Sequence, residues 1–393
     1  MIFTLPNLPE LPEGGKWKMT GSRWQVANNL PPATCILLSP CLSLRPMKAL
    51  VFHQHGDLDQ VTVADISEPE IGPDEVLLSV QAAALNRLDL WVLAGWPALK
   101  LKLPHVMGSD GAGVVAQVGA NVTRFQPGDR VAVNPTLWNP DDYFARIGRD
   151  NMTDGHSIIG EHVDGFAAEY IALPARNLVK MPDHVSFAEA AAASLVFVTA
   201  WHSLIVRGGL QAGETVLIVG AGGGVNTASI QIAKLAGAEC IYVVGSDEKK
   251  LALARQLGAD VTINRQEEDW GKALFKLTNR MGVDVVVDNV GAATYHTSLR
   301  ALKRGGRLLT VGNTSGAKFE FDNRLIFGKH LSIIGSTMGT HADYEKVMGM
   351  VFDGRLRPII DAIYPLKEGL TALQRLQTGD VMGKLVLAVS REP

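Results

Sequence analysis

The chain has 393 residues, 47% of them hydrophobic and 20% charged, which is enough for two domains with sizeable cores in an ordinary globular protein. Lys+Arg of 37 against Asp+Glu of 40 gives a formal net charge of -3, so there is no basic excess to recommend nucleic acid or an anionic membrane as a partner. No run reaches the roughly 18 consecutive apolar residues of a membrane span. The cysteines, Cys35, Cys41 and Cys240, are too few for a disulfide framework, and the expected setting is a reducing cytoplasm.

Residues 1–46 stand apart. They hold seven prolines, two of the three cysteines and no clean periodicity. Lys16, Lys18 and Arg23 precede a polar segment, whereas a signal peptide sets its basic residues before one apolar stretch. The segment reads as a disordered leader or as the product of a start codon placed too far upstream. Ordered packing of parts of it onto the body is the alternative.

From Met47 short β runs alternate with Gly/Pro/Asp turns: KALVF (48–52), EVLLSVQAAAL (75–85), GAGVVAQVG (111–119), DRVAV (129–133) and EYIAL (169–173). No helical period lies between them, which predicts a partly antiparallel β-barrel. Near residue 186 the rhythm changes. A helical stretch (186–206) leads into TVLIVG, and strands at 216–219, 241–244, 261–263, 285–287, 307–311 and 332–334 then alternate with helices such as 225–236 and 247–256. This pattern predicts an α/β domain with a doubly wound, six-stranded parallel sheet. A helix at 342–353 and the strand GKLVLAV (383–389) are expected to return to the first domain. The expected limits are 47–195 for the barrel, 196–340 for the parallel-sheet domain and 341–393 for the returning segment.

The strongest local signal is VLIVGAGGGVNTASIQIAKLAGA (216–238). A buried strand runs into a loop of Gly220, Gly222, Gly223 and Gly224, and Val225 opens a helix. Glycine lets the backbone turn tightly and approach a pyrophosphate, while the helix N-terminal N–H groups face its charge. Asn226 stands where the usual dinucleotide fingerprint has its third glycine. An NAD site wants a carboxylate at the tip of the second strand, but that strand ends Tyr242-Val243-Val244-Gly245. Ser246, Lys249, Lys250 and, after the third strand, Arg265 suit a 2′-phosphate instead. NADPH is therefore favoured over NADH. Asp247 is either a displaced ribose acid or the cap of the next helix.

Further motifs are PxxxGSDGAGVVAQVG (104–119), PGDRV (127–131), GxxAEY (165–170), AAAASLVFVTAWHSL (190–204), LGADVTIN (257–264), VDVVVDNVG (283–291), GGRLLTVG (305–312) and GK (383–384). With these, the chain from Met47 onward resembles the medium-chain dehydrogenases/reductases, especially their quinone oxidoreductase and zinc-type alcohol-dehydrogenase-like branch. The resemblance implies a GroES-like catalytic domain, a Rossmann domain and a cleft between them for hydride transfer. It implies Asn289, Gly312 and Lys384 as further cofactor contacts, and Asn86, Asp89, Ser109 and Thr199 near the nicotinamide, with Asp110 a further acid available there. It also implies pairing of subunits through the last sheet strands, as a homodimer or homotetramer.

Zinc is where the chain departs from that pattern. Asn86 and Ser109 occupy the positions where zinc-dependent members place Cys and His, and the structural-zinc lobe (134–153) offers Asn139, Asp142, Ala145 and Thr153. With Cys240 the only cysteine after the leader, no Cys-based zinc site is expected. A set of His156, Glu161, His162 and Asp164 has a spacing that matches no zinc motif. Without a metal, reduction of a conjugated carbonyl is easier than alcohol oxidation, which points to quinones or α,β-unsaturated ketones and aldehydes as small-molecule substrates. Asn86 is expected to bond a ribose or substrate oxygen, or else to cap a helix. Ser109 would donate to a carbonyl or only satisfy its own turn, and Asp89 and Asp110 would relay protons. Trp91 and Trp96 would form an aromatic substrate wall, and Trp201 core. The alternatives are an alcohol dehydrogenase with an unrecognised metal site and a non-catalytic nucleotide-binding protein.

Overall fold

The computed structural model describes residues 16–20, 23–27 and 46–390. Residues 1–44 and 45–393 are separate units. In the first, Lys16–Thr20 and Arg23–Ala27 pair as an antiparallel hairpin. A disordered leader does not anticipate these strands. For the rest of the leader, that expectation lies outside the described residues.

In the second unit the alternating runs form a seven-stranded sheet. Its order is Leu178–Lys180, Arg130–Val133, Asp110–Val118, Glu75–Ala84, Lys384–Ala388 and Ile360–Pro365, with Tyr170–Pro174 also paired to Glu75–Ala84. A three-stranded sheet of Val61–Ser67, Pro46–Phe52 and His105–Val106 contributes Leu50, Phe52 and Val61 to the same core. The register of Glu75–Ala84 against Asp110–Val118 shifts between Val80 and Ala82. Such a bulge exchanges the two faces of a strand. Before it Val76, Leu78 and Val80 fill the barrel; after it Ala82 and Ala84 join a second core, against the helix Phe187–Trp201.

That helix starts at Ser186, whose hydroxyl accepts the N–H of Glu189 while the Glu189 carboxylate returns to the Ser186 N–H. It continues as a π-helical turn, His202–Arg207. The stretch is long and apolar enough to cross a membrane by length and composition alone. Here it is buried continuously from Ala190 to Ala200, in the core it shares with barrel strands and the parallel sheet. An apolar helix covered on every side is a core helix.

The parallel sheet comprises β1 (Thr215–Val219), β2 (Cys240–Gly245), β3 (Val261–Asn264), β4 (Val283–Asp288), β5 (Leu302–Thr310) and β6 (Ser332–Gly335), in the order β3-β2-β1-β4-β5-β6. Buried Val, Ile and Leu dominate β1, β2 and β4, as expected of strands covered on both faces. The order reverses between β1 and β4, and ligands bind outside the carboxyl ends of the strands at such a point. The fold is α/β, a GroES-like barrel with a Rossmann sheet, as the sequence predicts. Lys384–Ala388 pairs antiparallel with Glu75–Ala84. The strand Ile360–Pro365 and the helix Gly369–Thr378 in the returning segment are additions to the elements read from sequence.

Candidate active site

A cleft of about 500 Å³ runs along the carboxyl ends of the parallel strands. Gly220, Gly222, Gly223, Gly224 and Val225 line it, with Ser246, Lys250, Arg265, Asn289 and Gly312. Gly220 has φ +106°, and a Cβ there would stand 2.6 Å from Asn226 Nδ2. Asn226 accounts for the missing third glycine. Its amide donates to the carbonyls of Val219 (3.0 Å) and Gly220 (2.8 Å), and its oxygen accepts from Asn289 Nδ2 (3.2 Å). Asn289 Oδ1 in turn accepts the N–H of Val311 (2.9 Å). Two asparagines thus tie together the ends of β1, β4 and β5. The helix Gly224–Leu235 starts from this loop, so its free N–H groups offer an anion site, and the narrow glycine cradle fits a dinucleotide pyrophosphate.

Asp247 caps its helix, its carboxylate accepting the N–H groups of Lys249 (2.8 Å) and Lys250 (3.1 Å). Lys249 is not part of the cleft wall. The Lys250 stem lies over Gly222, its Cδ 2.7 Å from where a Cβ would stand, and its ammonium donates to the Gly379 carbonyl (2.8 Å). Ser246 and Arg265 are therefore the uncommitted groups of the expected phosphate set.

Opposite the strands, Asn86 precedes the helix Arg87–Ala94 and lines the cleft with Leu88, Trp91, Thr199 and Lys384. Asn86 Nδ2 donates to Asp110 Oδ2 (2.8 Å), and its Oδ1 accepts from the Lys384 ammonium. The ammonium also donates to Asp110 Oδ2 (2.8 Å), and Asp110 Oδ1 accepts the Leu195 N–H (2.6 Å). Lys384 is 3% exposed and Asp110 0%, so each charge is stable only because the other is present. Lys384 faces the cleft as expected, but its charge is committed to this cluster.

The other acids and Ser109 sit behind the wall. Asp89 accepts the N–H groups of Asn86 (2.6 Å) and Gly108 (3.0 Å), which anchors the helix start. Burial pushes its carboxyl up to about 6, against the pull of those donors. Ser109 is fully buried and its Oγ has no partner among the described residues. Trp91 reaches across the cleft, with Cη2 3.7 Å from where a Cβ on Gly312 would stand. Trp96, expected beside it, is 38% exposed and outside the wall.

Zinc takes thiolate, imidazole or carboxylate donors. Here an amide and a hydroxyl hold the expected ligand positions, and the ammonium of Lys384, itself a donor, occupies the space against Asn86 and Asp110. These residues do not fit a zinc ion. Asp164 is drawn to the Val106 N–H (2.9 Å) and to His105 (3.6 Å), away from the set proposed with His156. Among the described residues, no group of three or more His, Cys, Asp or Glu could hold a metal.

Two placements go beyond the sequence reading. The Gly383 N–H donates to the Gly222 carbonyl (2.7 Å), stitching the returning strand to the glycine loop. Glu161 lines the cleft with Ile158, half-buried and without a hydrogen-bond donor among the described residues. The sequence reading names Glu161 only within the set of His156, His162 and Asp164 and does not place it in the cleft.

Two family models match the chain: alcohol dehydrogenase GroES-like domain over residues 72–183, and zinc-binding dehydrogenase over 224–353. An NAD-dependent alcohol dehydrogenase of Sulfolobus acidocaldarius is 30% identical over 353 residues, covering 88% of this chain and 100% of that one. An acryloyl-coenzyme A reductase of Metallosphaera sedula is 30% identical over 345 residues, covering 87% and 99%. A crystal structure of an NAD-dependent alcohol dehydrogenase is similar with a TM-score of 0.84 and 41% identity, covering 88% of this chain and 100% of its own. Fold, cleft and relatives define an oxidoreductase that uses a nicotinamide cofactor on a small-molecule substrate. The chain belongs to the medium-chain dehydrogenase/reductase superfamily.

Proposed function

We propose that the protein is a zinc-independent, NADPH-preferring reductase of α,β-unsaturated carbonyl compounds or quinones. The observation that carries this reading is the Asn86–Lys384–Asp110 cluster. A zinc ion would polarise a carbonyl strongly enough to stabilise an alkoxide. The Lys384 ammonium, already neutralised by Asp110, is a much weaker electrophile. Conjugate addition asks less of the protein, because charge spreads into an enolate that the Thr199 hydroxyl, otherwise held among the described residues only by a 3.7 Å contact to Met338 Sδ, can meet as a donor. Leu88, Trp91 and Ile158 supply a flat apolar surface beside it. When bound, the reduced nicotinamide supplies the hydride. The Metallosphaera sedula relative is named for reducing an acryloyl thioester, itself a conjugated carbonyl. Ser246 and Arg265 at the ends of β2 and β3, with no carboxylate at the β2 tip, support NADPH. The exposed edge of β6, where Ile333 is 40% exposed, supports a homodimer or homotetramer formed across it.

The second reading is an alcohol dehydrogenase, favoured by the 41% identity to a structure of that name. Metal analysis of purified protein, run beside NADPH and NADH oxidation with enones, quinones and aldehydes, separates the two. Negligible metal with NADPH-dependent enone or quinone turnover is expected. Stoichiometric zinc with alcohol oxidation would sink the proposal.

A further inference from the structure

Glu161 is the one acid on the cleft wall among the described residues. Its loop is rigid. The Ile158 carbonyl accepts the N–H groups of both Glu161 (3.1 Å) and His162 (2.9 Å), and the Gly160 N–H donates to Val163 (2.8 Å). Gly160, at φ +81°, packs so closely that a Cβ would stand 2.4 Å from the Gly108 carbonyl. The loop also flanks the half of the crevice formed by β4, β5 and β6. Asn151 Nδ2, ten residues upstream of Glu161, donates to the Thr337 carbonyl (3.3 Å), and Thr337 lines the cleft. In a doubly wound sheet each half holds one mononucleotide. If Ser246, Lys250 and Arg265 take the adenosine half, then Asn289, Gly312 and Thr337, beyond β4–β6 and on the Glu161 side, would hold the nicotinamide half.

The environment of this carboxyl differs from that of the other acids near the cleft. Asp110 accepts three donors and Asp89 two, whereas no donor among the described residues reaches Glu161, whose side chain is 13% exposed. Its nearest charged-capable neighbour is His162, with Nε2 3.7 Å away. The Ile158 N–H donates to His162 Nδ1 (3.1 Å), so that nitrogen is an acceptor and the ring is neutral; burial lowers its basicity further. Behind it His156 is also disfavoured as a cation by burial, partly offset by Asp150. The cations lining the cleft are Arg87, Lys250, Arg265 and Lys384, and none lies within 4.0 Å of Glu161 among the described residues. Burial without a compensating cation lifts the Glu161 carboxyl to about 7.

We propose that Glu161 is the general acid that protonates the α-carbon of the conjugated substrate. This rests on the enone-reductase reading. Hydride leaves its C–H bond in the bound NADPH for the β-carbon; the C=C π pair becomes the bond between Cα and the carbonyl carbon, and the C=O π pair moves onto oxygen as an enolate. The enolate pair then forms the Cα–H bond as the Glu161 O–H bond breaks, leaving a carboxylate that water reloads at its exposed edge. Asp110 and Asp89 are unsuited to this step, being sealed behind the wall and saturated with donors.

The test uses the full-length protein with NADPH and 2-methylcyclohex-2-enone, whose reduction creates a stereocentre at Cα. Wild type is expected to lose turnover as pH rises through about 7, because the required acid becomes a carboxylate. Glu161→Gln should cut kcat by about a hundredfold or more, with little change in KM or NADPH binding, and should remove that limb. Its product should be racemic at Cα. His162→Lys keeps the acid but sets a cation beside it, and should move the limb to lower pH. A wild-type enzyme that turns over while Glu161→Gln keeps the same limb and the same Cα configuration would overturn the role of Glu161 alone. Wild type that oxidises alcohols and ignores every enone would overturn the parent reading, and this step with it.

Discussion

The two walls of the cleft are made of different material. The wall proposed for the nucleotide is largely backbone: a glycine loop, the start of the helix Gly224–Leu235 and carbonyls held by Asn226. The wall proposed for the substrate is side chain, and its charges are buried in mutual dependence: Lys384 against Asp110, both bonded to Asn86. A backbone wall asks for permissive dihedral angles and tolerates change around it. A wall of buried charges fails as a unit, because each member removed strands another in a low-dielectric site.

The sharpest way to break that contrast is Lys384→Met. It leaves the Asp110 carboxylate buried and unpaired, and should cost about 3–5 kcal/mol by chemical denaturation, with loss of turnover. Adding Asp110→Asn should recover a large part of the stability. Strictly additive losses would show that the two charges are not coupled. Gly220→Ala tests the backbone wall. Its φ of +106° and the nearby Asn226 amide should make it cost about 1–3 kcal/mol and weaken NADPH binding about tenfold or more in a fluorescence titration. Unaltered binding would remove the loop from the cofactor site. Arg265→Ala should weaken NADPH by about tenfold while sparing NADH, since one charge-assisted phosphate contact is lost. An equal loss for both cofactors would place Arg265 elsewhere on the nucleotide. The smallest effect is expected at Trp96→Ala, within about 0.5 kcal/mol of wild type and with KM unchanged. A large rise in KM would return Trp96 to the aromatic wall.

The same contrast explains what the sequence disclosed. Glycines between a strand and a helix announce a backbone site, and alternating or continuous apolar runs announce strands buried on one face or two. Both signals are local, so the sheets and the cofactor loop were legible. The substrate wall joins Asn86, Asp110 and Lys384 across nearly three hundred positions, and no local pattern says that they meet. Resemblance brought Asn86 and Asp110 to the right neighbourhood but could not say which would face the cleft. Asp89, Asp110 and Ser109 went behind the wall because hydrogen bonds to the Asn86, Gly108 and Leu195 N–H groups, and the fold of the Gly108 turn, decide it. Trp91 and Trp96 lie five apart, and a helix that ends at Ala94 sends only the first inward. Glu161 was named only within a metal set of unfamiliar spacing, and its place in the cleft was not legible, since an acid beside a histidine in a polar loop is ordinarily a solvated surface pair.

Gly383 bridges to Gly222 one residue before Lys384 reaches Asn86 and Asp110. Its φ of +86° and the Ile359 carbonyl 2.2 Å from where a Cβ would stand leave no slack at that point. Whatever settles on the phosphate loop therefore bears directly on the peptide that aims the ammonium. In kinetic terms this seam predicts ordered addition, nucleotide before substrate, to be checked by product-inhibition patterns.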